Sequence, residues 1–599
     1  MTDFKELIAN EIYDEALGLE IEEIKSMIER PADEAMGDYA FPCFRLAKAL
    51  RKAPQQIAED IAEAAYKSDI FEKVENVNAY VNFFIDRAVF AGDVVREISD
   101  KGSQYGRSDL GKDKMVLVEY SSPNIAKPFH IGHIRSTVIG NALYKLYDAC
   151  GYDTLRINYL GDYGTQFGKM IVAYRKWGCE EELANEPIKA LLGYYTRFHK
   201  EAEKDPSLED EARETVARLE RGAEEETELW KKFRELSLSE FNRVYAMLGI
   251  EFDSYKGESF YSDKMPRFLQ ELKDKGLLIE SQGAQIVDLE DCGLGAAMIT
   301  KSDGSSLYVT RDIAAAVYRK ETYDFYKSIY VVASQQNLHF RQWKKVLELM
   351  GYEWEKDCIH VPFGLVSLSD GDDIKTMSTR EGKVVFLEDV LNTAVSKTAD
   401  IMREKKVEGV DIDEVSREVG IGAVIFQELS NNRIKDYVFS WDKVLNFDGE
   451  TGPYVQYTHA RASSVLRNAD EADISAISGS GLSSGSIPNS ASDSDSGSQA
   501  GFGANIDFSY LKGDSAYTLA KLLYRVPEVV VEAAEKYEPS MLTRHLVDIA
   551  QAFNKFYHDE HILVDDEKER RTKLALVAAA RTVIANCLGL LGISAPERM

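Results

Sequence analysis

"MVLVEYSSPNIAKPFHIGHIRSTVIGNALYKLYDACG", residues 115–151, begins as an apolar run and becomes a helical pattern, with Ile134, Val138, Ile139, Leu143, Leu146 and Tyr147 on one face before Gly151 ends it. "TLRINYLGDYG", residues 154–164, then supplies a second strand and a glycine-bounded turn. Together they predict a βαβ unit, whose right-handed crossover puts the helix N-terminus at the carboxyl edge of a parallel sheet. His130 and His133 flank Gly132 at that edge. A helical HxxH pair suits zinc, but a third ligand, the glutamate of HExxH and any nearby cysteine are missing. Two imidazoles satisfied inside a packed helix are the plain alternative for either residue alone. Pro128 fits the first helical turn, so both rings are expected at the positive end of a helix dipole. That is an anion site. The imidazoles can donate hydrogen bonds to phosphate oxygens, and Gly132 leaves room for a flat ring against the backbone.

A chain of 599 residues predicts two to four domains. Its 44% hydrophobic content is ordinary for a soluble protein, and no uninterrupted apolar run approaches the roughly 18 to 20 residues of a membrane span. The N-terminus, "MTDFKELIANEIYDEALGLE", mixes acids into an amphipathic pattern and does not read as a signal peptide. A cytoplasmic protein with no membrane partner is the expectation. Six scattered cysteines, Cys43, Cys150, Cys179, Cys292, Cys358 and Cys587, form no CxxC pair and argue against a disulfide framework or a thiolate zinc site. The net charge of −29 opposes unguided binding to nucleic acid, so any RNA must be met by local basic surface.

Residues 1–113 read as helices followed by a strand in "NAYVNFFID", closed by the Gly- and Ser-rich "GSQYGRSDLGKDK". The α/β pattern occupies 114–388, resuming in "SLYVTRDIAAAVYR" and "SIYVVASQQNLHFRQW" after a charged helical insertion at about 175–245 and a second insertion at about 262–304. The first insertion reads as solvated helix without catalytic role. From 389 to 599 the pattern is almost wholly helical. It is interrupted at about 471–505 by a Ser- and Gly-rich stretch too poor in apolar residues to order itself.

"HIGH" between strand and helix resembles the class I aminoacyl-tRNA synthetases. "VEYSSPNIAKPFHIGHIRSTVIGNAL" with "NYLGDYGTQFG", "YVTRD", "ASQQNLHF", "MSTREGKVVFLEDVL", "DGETGPYVQYTHAR" and the terminal "PERM" resemble arginyl-tRNA synthetases over nearly the whole chain. The resemblance implies a Rossmann-like parallel-sheet catalytic domain, an N-terminal α+β module that contacts the tRNA elbow, and a C-terminal all-α anticodon-binding bundle. It also implies that arginine is activated with ATP and Mg²⁺ to an adenylate and passed to the terminal ribose of tRNA(Arg) by a monomeric enzyme. His130, His133 and Lys127 are then the catalytic set. The nucleotide falls to His130, Gly132 and His133 together with Met377, Ser378 and Arg380 of "TMSTR". That stretch stands where the family's usual KMSKS loop has lysines; Lys127 is the expected substitute, with Arg380, Lys375 and Lys383 as helpers.

A planar guanidinium is best met by carboxylates and an aromatic face. The resemblance assigns Glu119, Asp312 and Tyr308 to the arginine side chain, and Asn124, Gln336 and Ser122 to its amino-acid end. For Asp312 a helix cap or a pair with Arg311 is the plain alternative. Tyr454 and Tyr457, three apart near His459 and Arg461, suit unstacked anticodon bases. Tyr557 and Met599 match positions near the same bases, and Tyr80 and Asn82 match the elbow-contacting stretch. Core packing is the alternative for each tyrosine. The missing KMSKS lysines leave a non-catalytic synthetase-like tRNA-binding protein as the competing function, and a class I enzyme for another amino acid as a third.

Overall fold

The computed structural model describes residues 3–65, 70–300, 308–370, 373–375, 385–477 and 506–599. They divide into two compact units. One comprises Met1–Tyr105, Thr458–Val526 and Asp548–Asn586; the other comprises Gly106–Tyr457, Pro527–Val547 and Cys587–Met599.

The first unit contains an antiparallel sheet of β1 (Tyr39–Pro42), β2 (Phe71–Val77) and β3 (Tyr80–Ile85), with β3 central. "NAYVNFFID" is this central strand, and Val81, Phe83 and Ile85 are buried. C-terminal helical segments pack directly on this N-terminal module. Asp38 accepts hydrogen bonds from the Ile85 amide (3.0 Å) and the Tyr517 hydroxyl (2.8 Å), Arg87 pairs with Asp514 at 2.6 Å, and the rings of Phe4, Phe90 and Tyr524 meet one another in a three-ring cluster. Glu471–Ile477, expected as the start of a flexible loop, is instead a helix. The buried Asp473 carboxylate holds it there through Arg570 (2.6 Å) and Arg571 (2.8 Å), a long-range pairing that composition does not reveal. The rest of the Ser- and Gly-rich stretch, 478–505, lies outside the described residues. One described helix, Glu567–Leu590, is long and apolar enough to cross a membrane, and 67% of its apolar window is buried.

The second unit is built on a four-stranded parallel sheet. Its strands β4 (Met115–Glu119), β5 (Asp153–Ile157), β6 (Lys327–Ala333) and β7 (Cys358–Phe363) lie in the order β7-β6-β4-β5. The crossover from β4 runs through α1 (Ile134–Ala149) to β5 on one side, while β6 and β7 build outward on the other. Strand order therefore reverses around β4, and the crevice at its carboxyl end is where such sheets bind ligands. Val116, Leu117 and Val118 are all fully buried, as expected of a strand covered on both faces. α2 (Thr165–Trp177) follows the second strand. α3 (Tyr308–Tyr323) and α4 (Asn337–Leu349) pack Ile313, Val317, Trp343 and Val346 into one large apolar cluster.

The first insertion has its own core, in which Leu191, Phe198 and Phe233 meet Met170 and Ile171 of α2. The second insertion forms a helix, Met265–Asp274, and an antiparallel three-stranded sheet between Ile279 and Thr300. After β8 (Val366–Asp370) and α5 (Ile412–Ser430) comes a departure from the all-helical expectation: β9 (Tyr437–Phe439) pairs in parallel with β8. "YVF" carries the β-prone residue types, but its partner strand lies some 70 positions earlier and no local pattern announces the pairing.

Gly140 in α1 shows how closely helix and sheet approach. A Cβ added there would lie 2.1 Å from the Tyr120 Cβ and 2.2 Å from its ring. In an exposed helix Gly→Ala would stabilise by about 1 kcal/mol. Here overpacking reverses the sign. Gly140→Ala is expected to destabilise the protein by roughly 1 to 3 kcal/mol, read as a lowered thermal midpoint; an unchanged or raised midpoint would contradict the packing.

Candidate active site

The loop leaving β4 carries three non-glycine residues in left-handed conformation, Ser121 (φ 66°), Ser122 (φ 47°) and Ala126 (φ 58°). Such backbone persists only where its surroundings fix it, and here they do. The Ser121 amide donates to Ser136 Oγ (2.9 Å), and that hydroxyl donates to the Val331 carbonyl of β6 (2.7 Å). Ser121 Oγ lies 2.8 Å from both Thr137 Oγ1 and the Tyr245 hydroxyl, and the Ala126 amide donates to Ser237 Oγ. Tyr245 and Ser237 belong to the long helix Glu224–Met247, so the charged insertion braces this loop as well as covering it. Gly161 is required beside it, because a Cβ there would fall 2.1 Å from Asn124 Oδ1.

The histidines do not share an α-helical face. Pro128 precedes a short 3₁₀ turn, Ile131–His133, and α1 starts only at Ile134. His130 caps the turn: its Nδ1 accepts the Gly132 amide (3.1 Å), while the His130 amide donates to His133 Nδ1 (3.2 Å). With Nδ1 occupied as an acceptor, the ring proton of His130 is assigned to Nε2. The two ring centroids are 4.0 Å apart. Burial, with a smaller contribution from Lys127, pulls His130 down to about 4. Burial and then His130 pull His133 down to about 3. Both rings are neutral at pH 7, donors without charge. Lys127 supplies the cation beside them, and its ammonium also lies 6.0 Å from the Tyr195 ring. Val385 and Phe386 pair with this turn through the Ile131 amide (3.1 Å to the Val385 carbonyl) and a bridge from Phe386 to His130. Met377, Ser378, Arg380 and Lys383 lie outside the described residues, as does the side chain of Lys375.

At the carboxyl ends of β4 and β5 stands a group of carboxylates and tyrosines. Glu119, only 6% exposed, is paired internally with Arg319 at 2.6 Å. Burial pushes its carboxyl upward and the guanidinium of Arg319 draws it back. The rings of Tyr159 and Tyr330 lie 5.3 and 5.5 Å from that guanidinium. Glu119 thus reaches the sheet edge expected of it with one guanidinium of the chain already beside it. Asp312 does not pair with Arg311. Arg311 instead binds Glu258 at 2.7 Å, between the rings of Tyr163 and Tyr308. Burial raises Glu258 to about 7 against the pull of Arg311, with Asp312 and Asp162 adding to the rise. Asp312 is met by the Tyr159 hydroxyl (3.4 Å) and His339 Nε2 (2.5 Å).

Tyr308, at the start of α3, is 63% exposed. Ser122 Oγ accepts the Tyr159 amide (3.0 Å), and Asn124 bridges to Gly161. Gln336 is exposed in the turn after β6. The fold thus gathers Ser122, Asn124, Asp312, Tyr308 and Gln336 at the same sheet edge as the histidines. Glu258, Tyr159, Arg319 and His339 are additions that the sequence did not single out. His339 alone carried a local signal, three residues after Gln336 in "QQNLHF".

The expected RNA residues are placed unevenly. Tyr457 is 41% exposed and Tyr454 partly buried, on the helix Gly452–Arg467, but His459 is buried. In the other unit Tyr557 is 43% exposed, with the Arg461 guanidinium 5.4 Å from its ring. Tyr80 packs edge-on against Phe44. Asn82 is buried at 2% exposure, its amide beside the Met36 sulfur, and presents no surface to a partner. Met599 packs against a small apolar cluster of Met402, Val415 and Val419.

Three family models match the chain: the catalytic domain of tRNA synthetases class I (R) over residues 94–441, the DALR anticodon binding domain over 455–599, and the arginyl tRNA synthetase N terminal domain over 2–85. The arginine--tRNA ligases of Halothermothrix orenii and Clostridioides difficile are each 54% identical to it over 599 residues, covering 100% of both chains. The solved arginyl-tRNA synthetase of Thermus thermophilus superposes with a TM-score of 0.75 at 25% identity, covering 98% of this chain and 99% of that one. With a parallel sheet, a HIGH turn at its carboxyl edge and full-length relatives of one kind, this chain belongs to the arginyl-tRNA synthetases of class I.

Proposed function

We propose that the protein is an arginine--tRNA ligase that joins L-arginine to ATP as an adenylate, releasing pyrophosphate, and then esterifies the terminal ribose of tRNA(Arg). The observation that carries the arginine specificity is the charge balance at the sheet edge. Of the carboxylates there, Glu119, Glu258 and Asp162 face Arg319, Arg311 and Arg234, while Asp312 is met by a tyrosine hydroxyl and a histidine. Asp312 is the one of these with no guanidinium of the chain paired to it among the described residues. A substrate guanidinium would pair with it and lie against Tyr308, with Glu258 adding negative potential. Ser122, Asn124 and Gln336, on the loops after β4 and β6, would take the amino and carboxylate groups.

The chemical step asks for alignment and charge stabilisation more than for proton transfer. His130 and His133 would donate hydrogen bonds to phosphate oxygens as neutral rings, with Gly132 making room for the nucleotide. Lys127 would supply the positive charge that the TMSTR stretch lacks at the usual lysine positions, assisted by Arg380, Lys375 and Lys383, while Met377 and Ser378 would line the nucleotide. Mg²⁺ is proposed to enter bound to ATP as part of that substrate. Among the described residues no group of three or more His, Cys, Asp or Glu side chains is arranged to hold a metal of its own.

The helical C-terminal region is proposed to read the anticodon with Tyr454, Tyr457 and Tyr557, and the N-terminal module to meet the tRNA elbow through Tyr80. A stacked base contributes roughly 1 to 3 kcal/mol. The enzyme is proposed to act as a cytoplasmic monomer.

Arginine-dependent ATP–pyrophosphate exchange, run with and without tRNA, tests the activity; no exchange under either condition would refute it. Asp312→Ala should raise the arginine KM by roughly thirtyfold or more, the equivalent of at least about 2 kcal/mol, while the thermal midpoint holds. An unchanged KM would remove Asp312 from the site. Glu258 gives the pH dependence its sign. Above about 7 it is ionised and adds to the attraction for a cation; as the pH falls through about 7 it is protonated and that attraction is lost. The arginine KM should therefore rise severalfold between pH 8 and pH 6, and Glu258→Gln should flatten the rise. The ATP KM should stay level over the same range, because both histidines are already neutral.

A further inference from the structure

Arg135, two residues after His133, is 1% exposed. Its Nη1 donates to the carbonyls of Gly364 (3.0 Å) and Lys435 (2.8 Å), and Nη2 to that of Asn432 (3.4 Å). Its Nε lies 3.5 Å from the carboxylate of Glu428, which is fully buried in α5 and also accepts the Tyr437 hydroxyl. The Tyr437 ring lies 5.2 Å from the guanidinium. One side chain thus joins three parts of the unit: the first turn of α1, the junction between β7 and β8, and the segment from the end of α5 into β9.

That segment is itself locked to the junction. The Gly364 amide donates to the Arg433 carbonyl (2.8 Å), Arg433 Nη1 to the Pro362 carbonyl (2.8 Å), and the Leu365 amide to Asp436 (2.6 Å). A side chain at Gly364 would collide with Lys435 and Asp436 at 2.6 Å. Stability alone does not explain a buried guanidinium here. Such a charge is costly to desolvate, and apolar packing of equal volume often serves as well or better. What a planar fork adds is direction, since its donors reach several acceptors in fixed geometry. The histidines ride on the turn that this fork anchors, together with the Ser136 link to β6. Gly364 leads directly into β8, and Val385 and Phe386 are paired with the same turn.

We infer that Arg135 is a positioning residue for the activation step: by holding the HIGH turn in register with the β7–β8 junction, with the buried Glu428 carboxyl group beside its Nε, it sets the reach of His130 and His133 to the nucleotide. The inference rests on the synthetase reading above. Misplacement of about 1 Å at a reacting centre can cost up to roughly a hundredfold in rate, so the role should appear in turnover more than in folding.

The test uses the full chain as wild type, Arg135→Lys and Glu428→Gln, with tRNA present. Exchange rates are divided by the number of active sites, counted from the burst of adenylate formed in a single turnover. Arg135→Lys, which keeps charge and loses the fork, should lower the rate per site by roughly tenfold or more, with the arginine KM within about threefold of wild type. Glu428→Gln, which leaves the carbonyl bonds in place, should lower it by about threefold or more. A rate per site within twofold of wild type in Arg135→Lys would overturn the inference, even if its melting temperature or number of active sites fell, because a purely structural role changes only those. Should Arg135→Lys fail to fold, Glu428→Gln decides: a rate per site lowered about threefold or more supports positioning, and an unchanged rate refutes it. Absence of exchange in the wild type would count against the synthetase reading itself.

Discussion

A site that selects a permanent cation must keep negative charge buried, and the cost of burying it shapes the carboxyl edge of this sheet. Two internal guanidinium groups carry most of that cost. Arg319 sits against Glu119 and Arg311 against Glu258, both almost out of solvent and both flanked by tyrosine rings. Without them the clustered carboxylates would be pushed further toward their protonated forms; even with Arg311 beside it, burial raises Glu258 to about 7. With them the acids stay clustered, and Asp312, which has no guanidinium partner of its own among the described residues, is the carboxylate proposed to meet an incoming side chain.

The nucleotide side solves the opposite problem with less charge. The imidazoles are held neutral by burial and by Lys127, and their backbone partners fix how they point. An anion bound there, as proposed, would meet a polarised turn, donor rings and one lysine. Neutral donors cost less to desolvate than cations and need no counter-ion when the site is empty. The strained loop from Ser121 to Ala126 joins the two halves, braced by Tyr245 and Ser237 of the inserted helix. A segment that reads as a solvated attachment is therefore part of what holds the active-site backbone in place.

Sequence was most informative where physics is local. The apolar run at Met115, the periodicity ending at Gly151 and the HIGH turn between them each depend on residues a few positions apart, and the structure has β4, the turn and α1 there. The helical character of the C-terminal region was legible for the same reason. The strand at Tyr437 and the helix at Glu471 were not, because their partners lie roughly 70 to 100 residues away along the chain.

The sequence by itself determined the fold class, the family and the residue types at the site, since those follow from short-range pattern and from motif order. Tertiary structure alone decided which carboxylates already have partners, that Asn82 and His459 are buried, and that Arg319 and Glu258 are brought beside Glu119 and Asp312. Electrostatic pairing and burial are properties of distance in space, and Glu119 and Arg319 stand 200 positions apart in the chain yet 2.6 Å apart in the fold. No reading of neighbours along the chain contains that distance.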